Sequence, residues 1–302
     1  MKRDLISFSL WSSEELSALI GITGDEKPRG NDRHRPLDGK TAALIFERES
    51  LRTRVSFEVG IAQLGGTSIF LQQETIGIAT RESVHDIATV LSRYNDLIVA
   101  RTTRHTTCVQ LAESAMIPVI NAMTDLVHPC QVLADAFTLR ELGRFGPETK
   151  IVFLGEGNNI VNSWLELAEK ISVHFVFSCP TGYEPHPQIL EQARNAGKSR
   201  IESVQDPMEA VRDADVVYTD VWPLTRTSGE EGTELAAFRP YQVNESLLKE
   251  AKEQCVVMHR LPANRGEEIT REVLDGPQSV VLRQAENRLH VQKRVMTRLL
   301  EQ

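Results

Sequence analysis

Three arginines and two hydroxyl side chains fall within seven residues of the sequence: Arg48, Ser50, Arg52, Thr53 and Arg54. An apolar run at 42–46 precedes them and has the length and composition of a buried parallel strand. A helix that begins after such a strand offers unpaired backbone N–H groups and the positive end of its dipole. Hydroxyl and guanidinium groups added there can bind a doubly charged phosphate. Taken alone, the cluster is better explained as a solvated basic turn, but the rest of the chain favours the phosphate site.

Other polar clusters also follow predicted strands. They are Arg101 with Arg104-His105, Asp125 to His128, Gly155-Glu156-Gly157-Asn158-Asn159, Asp220, and His259-Arg260-Leu261-Pro262. Parallel strands end at one edge of their sheet, and ligands of open α/β sheets bind outside that edge. A random scatter of surface polar residues would not keep to one edge, so these clusters are predicted to be functional.

The elements that must position these residues alternate along the chain. Strands are predicted at 41–46, 68–71, 96–100, 117–121, 150–154, 173–178, 215–219, 255–258 and 279–283. Segments with helical spacing lie between them, which predicts an α/β fold with parallel sheets. We expect two doubly wound parallel-sheet domains with a cleft between them. The first covers 1–135, the second covers 150–275, and a last helix at 285–302 packs back on the first.

One segment has conflicting patterns. Val55, Phe57, Val59 and Ile61 alternate as they would in a strand. A strand at this place would leave two consecutive strands of a parallel sheet without a crossover. A helix is therefore predicted.

Composition and charge exclude several classes of protein. The chain has 302 residues, 41% of them hydrophobic, which is ordinary for a globular protein with two cores. The net charge of −8 gives no general attraction to nucleic acid or to an anionic membrane. No apolar run approaches the length of a membrane span, and acidic residues interrupt any signal-like core near the first residues. The cysteines are scattered, as expected of reduced thiols in the cytoplasm: Cys108, Cys130, Cys179 and Cys255.

No cofactor and no metal are expected. Gly155-Glu156-Gly157 begins like a dinucleotide-binding motif, but Ile160 occupies the position of its third glycine. No spacing of His, Cys and Asp suggests a metal site, and no motif of a covalent nucleophile is present.

Six segments, taken in order, resemble the signatures of the aspartate/ornithine carbamoyltransferases. They are Ser50-Leu51-Arg52-Thr53-Arg54; His128-Pro129-Cys130-Gln131 with Leu133-Ala134-Asp135; Gly157-Asn158-Asn159; Tyr218-Thr219-Asp220-Val221-Trp222; His259-Arg260-Leu261-Pro262-Ala263 with Arg265-Gly266-Glu267-Glu268; and Ala285-Glu286-Asn287-Arg288. Their order covers nearly the whole chain, so the set is far more specific than any one member. Several of them are closer to the ornithine branch of the family.

The resemblance implies a carbamoyltransferase of amino-acid metabolism, in arginine biosynthesis, that forms a homotrimer with active sites between subunits. The implied phosphate-binding residues are Ser50, Leu51 through its backbone, Arg52, Thr53 and Arg101. Those implied for the carbamoyl group are His128, Gln131, Arg288 and the Leu261 backbone, and Asn159 and Asp220 would face the amine. The amine attacks the carbamoyl carbon while charge grows on its oxygen. Positioned donors can carry this reaction without a metal or a covalent intermediate.

The segments that bind the second substrate depart from the family pattern. Arg260 stands where ornithine enzymes have a cysteine, and Arg226 lies in a stretch that replaces their Ser-Met-Gly; Leu51 also replaces a usual threonine. Two arginines facing the acceptor would favour a carboxylate-bearing amine over a cationic one. If Arg260 instead pairs with Glu230 or Glu231, ornithine remains the acceptor.

Three functions therefore stay open at the level of sequence. Ornithine is favoured as acceptor by the family pattern. Another diamino acid or an acidic amino acid is the alternative that the two arginines support. A catalytically silent paralogue is the third, although a silent copy need not keep the complete donor-binding set.

Overall fold

The computed structural model describes residues 2–21, 35–78, 80–223 and 231–301. The chain divides into two compact units. Unit 1 comprises Met1–Phe137 and Glu286–Gln302, and unit 2 comprises Thr138–Ala285.

Unit 1 is built on a parallel sheet that has four strands in the described part of the chain. Its strands are β1 Thr41–Phe46, β2 Thr67–Gln72, β3 Leu97–Arg101 and β4 Val119–Met123, in the order β2-β1-β3-β4. The helices are α1 Ser13–Ile20, α2 Leu51–Gln63, α3 Gln73–Ile76, α4 Val84–Tyr94, α5 His105–Ser114 and α6 Pro129–Glu141, the last of which runs into unit 2. The central strands are buried on both faces, as expected of a parallel sheet covered by crossover helices.

Unit 2 repeats the same plan on a sheet with five parallel strands among the residues described. They are β5 Lys150–Leu154, β6 His174–Ser178, β7 Arg200–Ser203, β8 Val216–Thr219 and β9 Val256–His259, in the order β7-β6-β5-β8-β9. The helices are α7 Asn159–Ala168, α8 Pro187–Asn195, α9 Pro207–Val211, α10 Glu231–Phe238, α11 Glu245–Leu248 and α12 Arg271–Leu274. A last helix, α13 Val281–Leu300, begins in unit 2 and ends in unit 1.

Each sheet reverses its strand order at one place. In unit 1 this switch lies between β1 and β3, where Phe46 is the register partner of Arg101. In unit 2 it lies between β5 and β8, where Leu154 is the partner of Thr219. Crossovers leave the sheet in opposite directions at a switch, which opens a crevice at the carboxyl ends of the two strands. The loops that follow these four strands are therefore the ones available to a ligand.

The predicted α/β fold with parallel sheets is confirmed, and so is the helix predicted over 55–61, which lies within α2. The strand predicted at 279–283 is wrong. Gln278 and Val280 exchange two backbone hydrogen bonds with Val257 of β9, and the chain then turns into α13 at Val281. Strand β7 was not predicted. None of the described helices is long and apolar enough to cross a lipid bilayer.

Candidate active site

The first turn of α2 forms one side of the unit 1 crevice. Ser50 is the N-cap: its backbone is extended, and its Oγ accepts a hydrogen bond from the Thr53 N–H at 3.4 Å. The Leu51 side chain is 73% exposed, so this position offers the site its backbone N–H alone. Arg52 is half-buried and Thr53 is buried. The N–H groups of a first turn have no intrahelical acceptor and can bind an anion.

The other arginines of this cluster have different surroundings. The Arg54 guanidinium lies 3.6 Å from the centre of the Phe70 ring, and its Nε donates to Glu58 at 3.0 Å. Arg48 is exposed to solvent. Arg54 is thus committed to contacts on the side of α2, which the spacing of the sequence could not distinguish from a role in anion binding.

Arg288 joins three segments of unit 1 that are distant in sequence. Its Nη2 donates to Thr53 Oγ1 of α2 at 3.0 Å, and its Nη1 donates to Gln131 Oε1 of α6 at 3.1 Å. Gln131 in turn donates from Nε2 to Asp135 Oδ1 at 2.8 Å. All four side chains are at most 4% exposed. The predicted donor-site residues Thr53, Gln131 and Arg288 therefore lie together.

His128 and Arg101 complete the unit 1 residues predicted from the sequence. His128 is 1% exposed and directly precedes α6, whose first turn starts with a hydrogen bond from the Gln131 N–H to the His128 carbonyl at 3.1 Å. Arg101 is half-buried at the last position of β3, across the switch from β1. Burial raises the pKa of the Cys130 thiol to about 12, so this neighbour stays protonated and is no nucleophile.

In unit 2 the turn after β5 requires a glycine. A Cβ at Gly157 would lie 2.2 Å from the backbone nitrogen of Pro185, and the Gly157 N–H donates to the Tyr183 carbonyl at 2.7 Å. This close approach places Asn158 at the N-cap of α7, where its Oδ1 accepts from the Ile160 N–H at 2.9 Å. The Asn158 side chain also donates from Nδ2 to Asp220 Oδ2 at 2.8 Å, which links β5 to β8 across the switch.

Arg260 binds Asp220, a residue predicted to face the amine substrate. The Arg260 Nε lies 2.7 Å from the Asp220 carboxylate, and its Nη1 lies 3.5 Å from Asn159 Oδ1. The side chain of Asp220 is 2% exposed and that of Arg260 is 16% exposed. An arginine remains charged at any working pH, so it compensates the Asp220 charge within the site. Arg226, Glu230 and the side chain of Glu231 lie outside the described residues, so the predicted pairing of Arg260 with Glu230 or Glu231 stays a prediction.

A buried pair supports the segment that carries Arg260. His259 Nδ1 accepts from the Leu261 N–H at 2.9 Å, and its Nε2 lies 3.1 Å from Glu268 Oε1. Both side chains are fully buried, and the Asn264 N–H also donates to Glu268, at 2.6 Å. Because Nδ1 accepts, the histidine proton is on Nε2 and donates to the carboxylate. Leu261 has a φ of 58°, in the left-handed region.

A family model described as "Aspartate/ornithine carbamoyltransferase, carbamoyl-P binding domain" matches residues 3–141. A second, described as "Aspartate/ornithine carbamoyltransferase, Asp/Orn binding domain", matches residues 147–299. The chain belongs to the aspartate/ornithine carbamoyltransferase family.

Similar carbamoyltransferases match over nearly the whole chain. The ornithine carbamoyltransferase of Chlorobaculum tepidum is 50% identical, over 99% of this chain and 90% of the relative. That of Syntrophus aciditrophicus is 46% identical, over 99% of this chain and all of the relative. The solved structure of the Pyrococcus furiosus ornithine carbamoyltransferase superposes with a TM-score of 0.90 at 41% identity, covering 98% of this chain and 96% of the other.

Two carboxylates beside the candidate residues were not among the predicted site residues. Asp135 fixes the orientation of the Gln131 amide, and its place in the Leu-Ala-Asp motif was a signal for it. Glu156 is half-buried in the turn after β5; burial and the neighbouring Asp220 raise its pKa, against the opposing effect of Arg260. In the described ranges no three His, Cys, Asp or Glu side chains are grouped so that they could hold a metal ion.

Proposed function

We propose that this carbamoyltransferase transfers the carbamoyl group of carbamoyl phosphate to the side-chain amine of ornithine, giving citrulline and phosphate. The observation that carries the donor half of this proposal is the convergence of Thr53, Gln131 and Arg288 beside the N-terminus of α2. The acceptor half is inferred from the relatives, two of which are 50% and 46% identical to this chain and are named ornithine carbamoyltransferases.

Unit 1 supplies the groups that carbamoyl phosphate requires. Ser50, the Leu51 N–H, Arg52, Thr53 and Arg101 bind the phosphate at the carboxyl ends of β1 and β3. A helix N-terminus and guanidinium forks suit a dianion because both present several N–H donors with positive potential.

The carbamoyl group lies next to the phosphate, at the N-terminus of α6. His128, Gln131 and Arg288 hold it. The charge that develops on its oxygen during attack is stabilised by donors already in place, and phosphate then leaves.

Unit 2 supplies the acceptor site. Asn159 and Asp220 lie at the switch between β5 and β8 with Arg260 beside them. The ion pair with Asp220 compensates the charge of Arg260, so this arginine gives no surplus positive potential that would select an acidic acceptor. That pairing favours ornithine over a carboxylate-bearing amine. Arg226 belongs to the same proposed acceptor site.

We further infer a homotrimer in the cytoplasm, acting in arginine biosynthesis, with active sites between subunits. A stripe of exposed apolar side chains on α2 supports the proposed homotrimer. Leu51, Val55 and Val59, spaced by four on α2, are 73%, 45% and 39% exposed, and Ile69 on the edge strand β2 is 47% exposed. Neighbouring apolar side chains left in water are typical of a protein interface.

The test measures phosphate release and the carbamoylated product with ornithine, other diamino acids and acidic amino acids. The matched pair of variants is Arg52→Ala and Arg54→Ala. Losing charge-assisted bonds to the phosphate should cost Arg52→Ala about two to three decades in kcat/KM. Arg54→Ala should keep the wild-type affinity for carbamoyl phosphate, because its guanidinium is held by Glu58 and Phe70.

The outcomes separate the candidate functions. Ornithine turnover that depends on Arg52 supports the proposal. Preference for an acidic or another diamino acceptor would replace ornithine, and binding of carbamoyl phosphate without turnover of any acceptor would indicate the silent paralogue. Equal losses in Arg52→Ala and Arg54→Ala would contradict the phosphate site.

A further inference from the structure

Asp220 is already engaged within unit 2. One carboxylate oxygen accepts from Asn158 Nδ2 at 2.8 Å, and Arg260 Nε lies 2.7 Å from the same group. The carboxylate is 2% exposed. A cationic substrate would have to compete with a guanidinium that is tethered in place, which makes Asp220 a poor primary site for an ammonium group.

Glu156 is the second carboxylate at this edge. It follows β5 by two residues, and Asp220 follows β8 by one, on neighbouring strands that pair Leu154 with Thr219. The Glu156 side chain is half-buried, and the described residues give its carboxylate no hydrogen bond. The two carboxylates and the Arg260 guanidinium together carry one net negative charge. Arg260 contacts Asp220, and their charges cancel. We therefore assign the remaining negative charge to the Glu156 carboxylate.

Trp222 gives a separate indication that a ligand binds here. Its side chain is buried, and among the residues that the structure describes its indole Nε1 has no hydrogen-bond partner. The ring lies against the turn: a Cβ on Gly155 would be 3.7 Å from Nε1. An unsatisfied buried donor is costly, and a substrate oxygen would satisfy it. A zwitterionic amino acid brings both a cation for Glu156 and a carboxylate.

We propose that Glu156 is the carboxylate that binds an ammonium group of the acceptor amino acid, in place of the ion-paired Asp220. The inference rests on the proposed function, since it assigns the determinant of acceptor specificity in the same site. Because Asp220 is paired with Arg260, Glu156 would supply the negative charge that a cationic acceptor needs.

The test compares Glu156→Gln, Glu156→Asp and a matched control, Glu169→Gln. Glu169 also has a pKa raised by burial, but it lies at the opposite end of α7, about 15 Å along the helix. Glu156→Gln should raise the KM for ornithine about 10- to 100-fold, as for a lost hydrogen bond to a charged group. The KM for carbamoyl phosphate should not change, Glu156→Asp should recover part of the loss, and Glu169→Gln should behave as wild type.

The pH dependence of the KM for ornithine is a second measurement, and it would not change if Glu156 had only a structural role. In the wild type, the KM for ornithine should rise as pH falls and Glu156 becomes protonated; in Glu156→Gln this component should be absent. An unchanged KM in Glu156→Gln, or a joint loss of kcat and affinity for both substrates, overturns the proposal. If the wild type does not turn over ornithine, the proposed function fails separately. Calorimetric titration of ornithine onto the carbamoyl phosphate complex then tests the role of Glu156. Weaker ornithine binding by Glu156→Gln than by the wild type supports the role. Equal binding by the two proteins, or no binding by either, overturns it.

Discussion

Single side chains in unit 1 link segments that are far apart in the chain. Thr53 and Arg288 are 235 positions apart, yet their side chains are 3.0 Å from each other. Gln131 is held from both sides, by Arg288 and by Asp135, so its amide cannot turn without losing a buried hydrogen bond. Such preorganisation lets donors stabilise a developing charge without rearranging during the reaction.

His128 provides the prediction at this scale. If it donates to the carbamoyl oxygen, His128→Ala should lower kcat by roughly 10²–10³, the effect of one lost oxyanion donor, and change the KM for carbamoyl phosphate much less. Steady-state kinetics measures this split. His174→Ala is the control, since His174 lies at the amino end of β6, away from the ligand-binding edge. A variant that melts at lower temperature with its kcat intact would show that His128 is structural.

At the scale of elements, the segment after β9 is held by polar contacts to the buried side chains of His259 and Glu268. Glu268 accepts from His259 and from the Asn264 backbone, and His259 accepts from the Leu261 N–H. This arrangement orients the turn on which both Arg260 and Leu261 lie. The position of Arg260 in the proposed acceptor site therefore depends on residues that need not touch the substrate.

We predict that Glu268→Ala lowers the free energy of unfolding by about 2–5 kcal/mol, because the buried His259 and the Asn264 N–H lose their acceptor. Urea denaturation measures the change, and kcat/KM for the acceptor should fall with it. Glu268→Gln keeps an amide oxygen for both donors and should lose much less. Similar stability in all three proteins would mean that these hydrogen bonds do not hold the turn.

The elements that the sequence predicts well are those with a strong local pattern, and the misses have physical reasons. In α2, Phe57 and Ile61 are buried while Val55 and Val59 are exposed, so apolar residues on two faces of one helix imitate the alternation of a strand. Strand β7 has the sequence Arg-Ile-Glu-Ser at a sheet edge, where few side chains are buried and no apolar run develops.

The grouping of some candidate residues was predictable from the motifs, but their pairings were not. The motifs pointed to Thr53, Gln131 and Arg288, which the structure brings together. Nothing in the order of residues indicated that Arg260 would bind Asp220, or that Arg54 would lie on Phe70. Such contacts depend on side-chain directions that are set only once the elements pack.

For the whole molecule, the proposed trimer predicts that a charge placed on the exposed stripe of α2 weakens the association of subunits. Val55 lies in the exposed stripe of α2, so Val55→Lys should weaken assembly while leaving the fold of the subunit intact. Sedimentation velocity should show a trimer for the wild type and smaller species for the variant. Activity should fall alongside, because the proposal places the active sites between subunits.

The control for assembly is Val90→Lys, on α4, where the side chain is likewise 45% exposed but lies outside the stripe. It should leave the sedimentation coefficient unchanged. A wild type that sediments as a monomer, or an unaffected Val55→Lys, would contradict the proposed interface.

The placement of α13 has a consequence for the order of events during synthesis. Unit 1 takes its first 137 residues from the start of the chain and its last 17 from the end, so the ribosome makes all of unit 2 in between. Domains generally fold as they emerge, at about 5–20 residues per second. Thr53 and Gln131 are thus synthesised well before Arg288, and their hydrogen bonds to it cannot form until the residues of unit 2 have been translated. Unit 1, which carries the proposed phosphate site, is therefore finished only after unit 2 has been made.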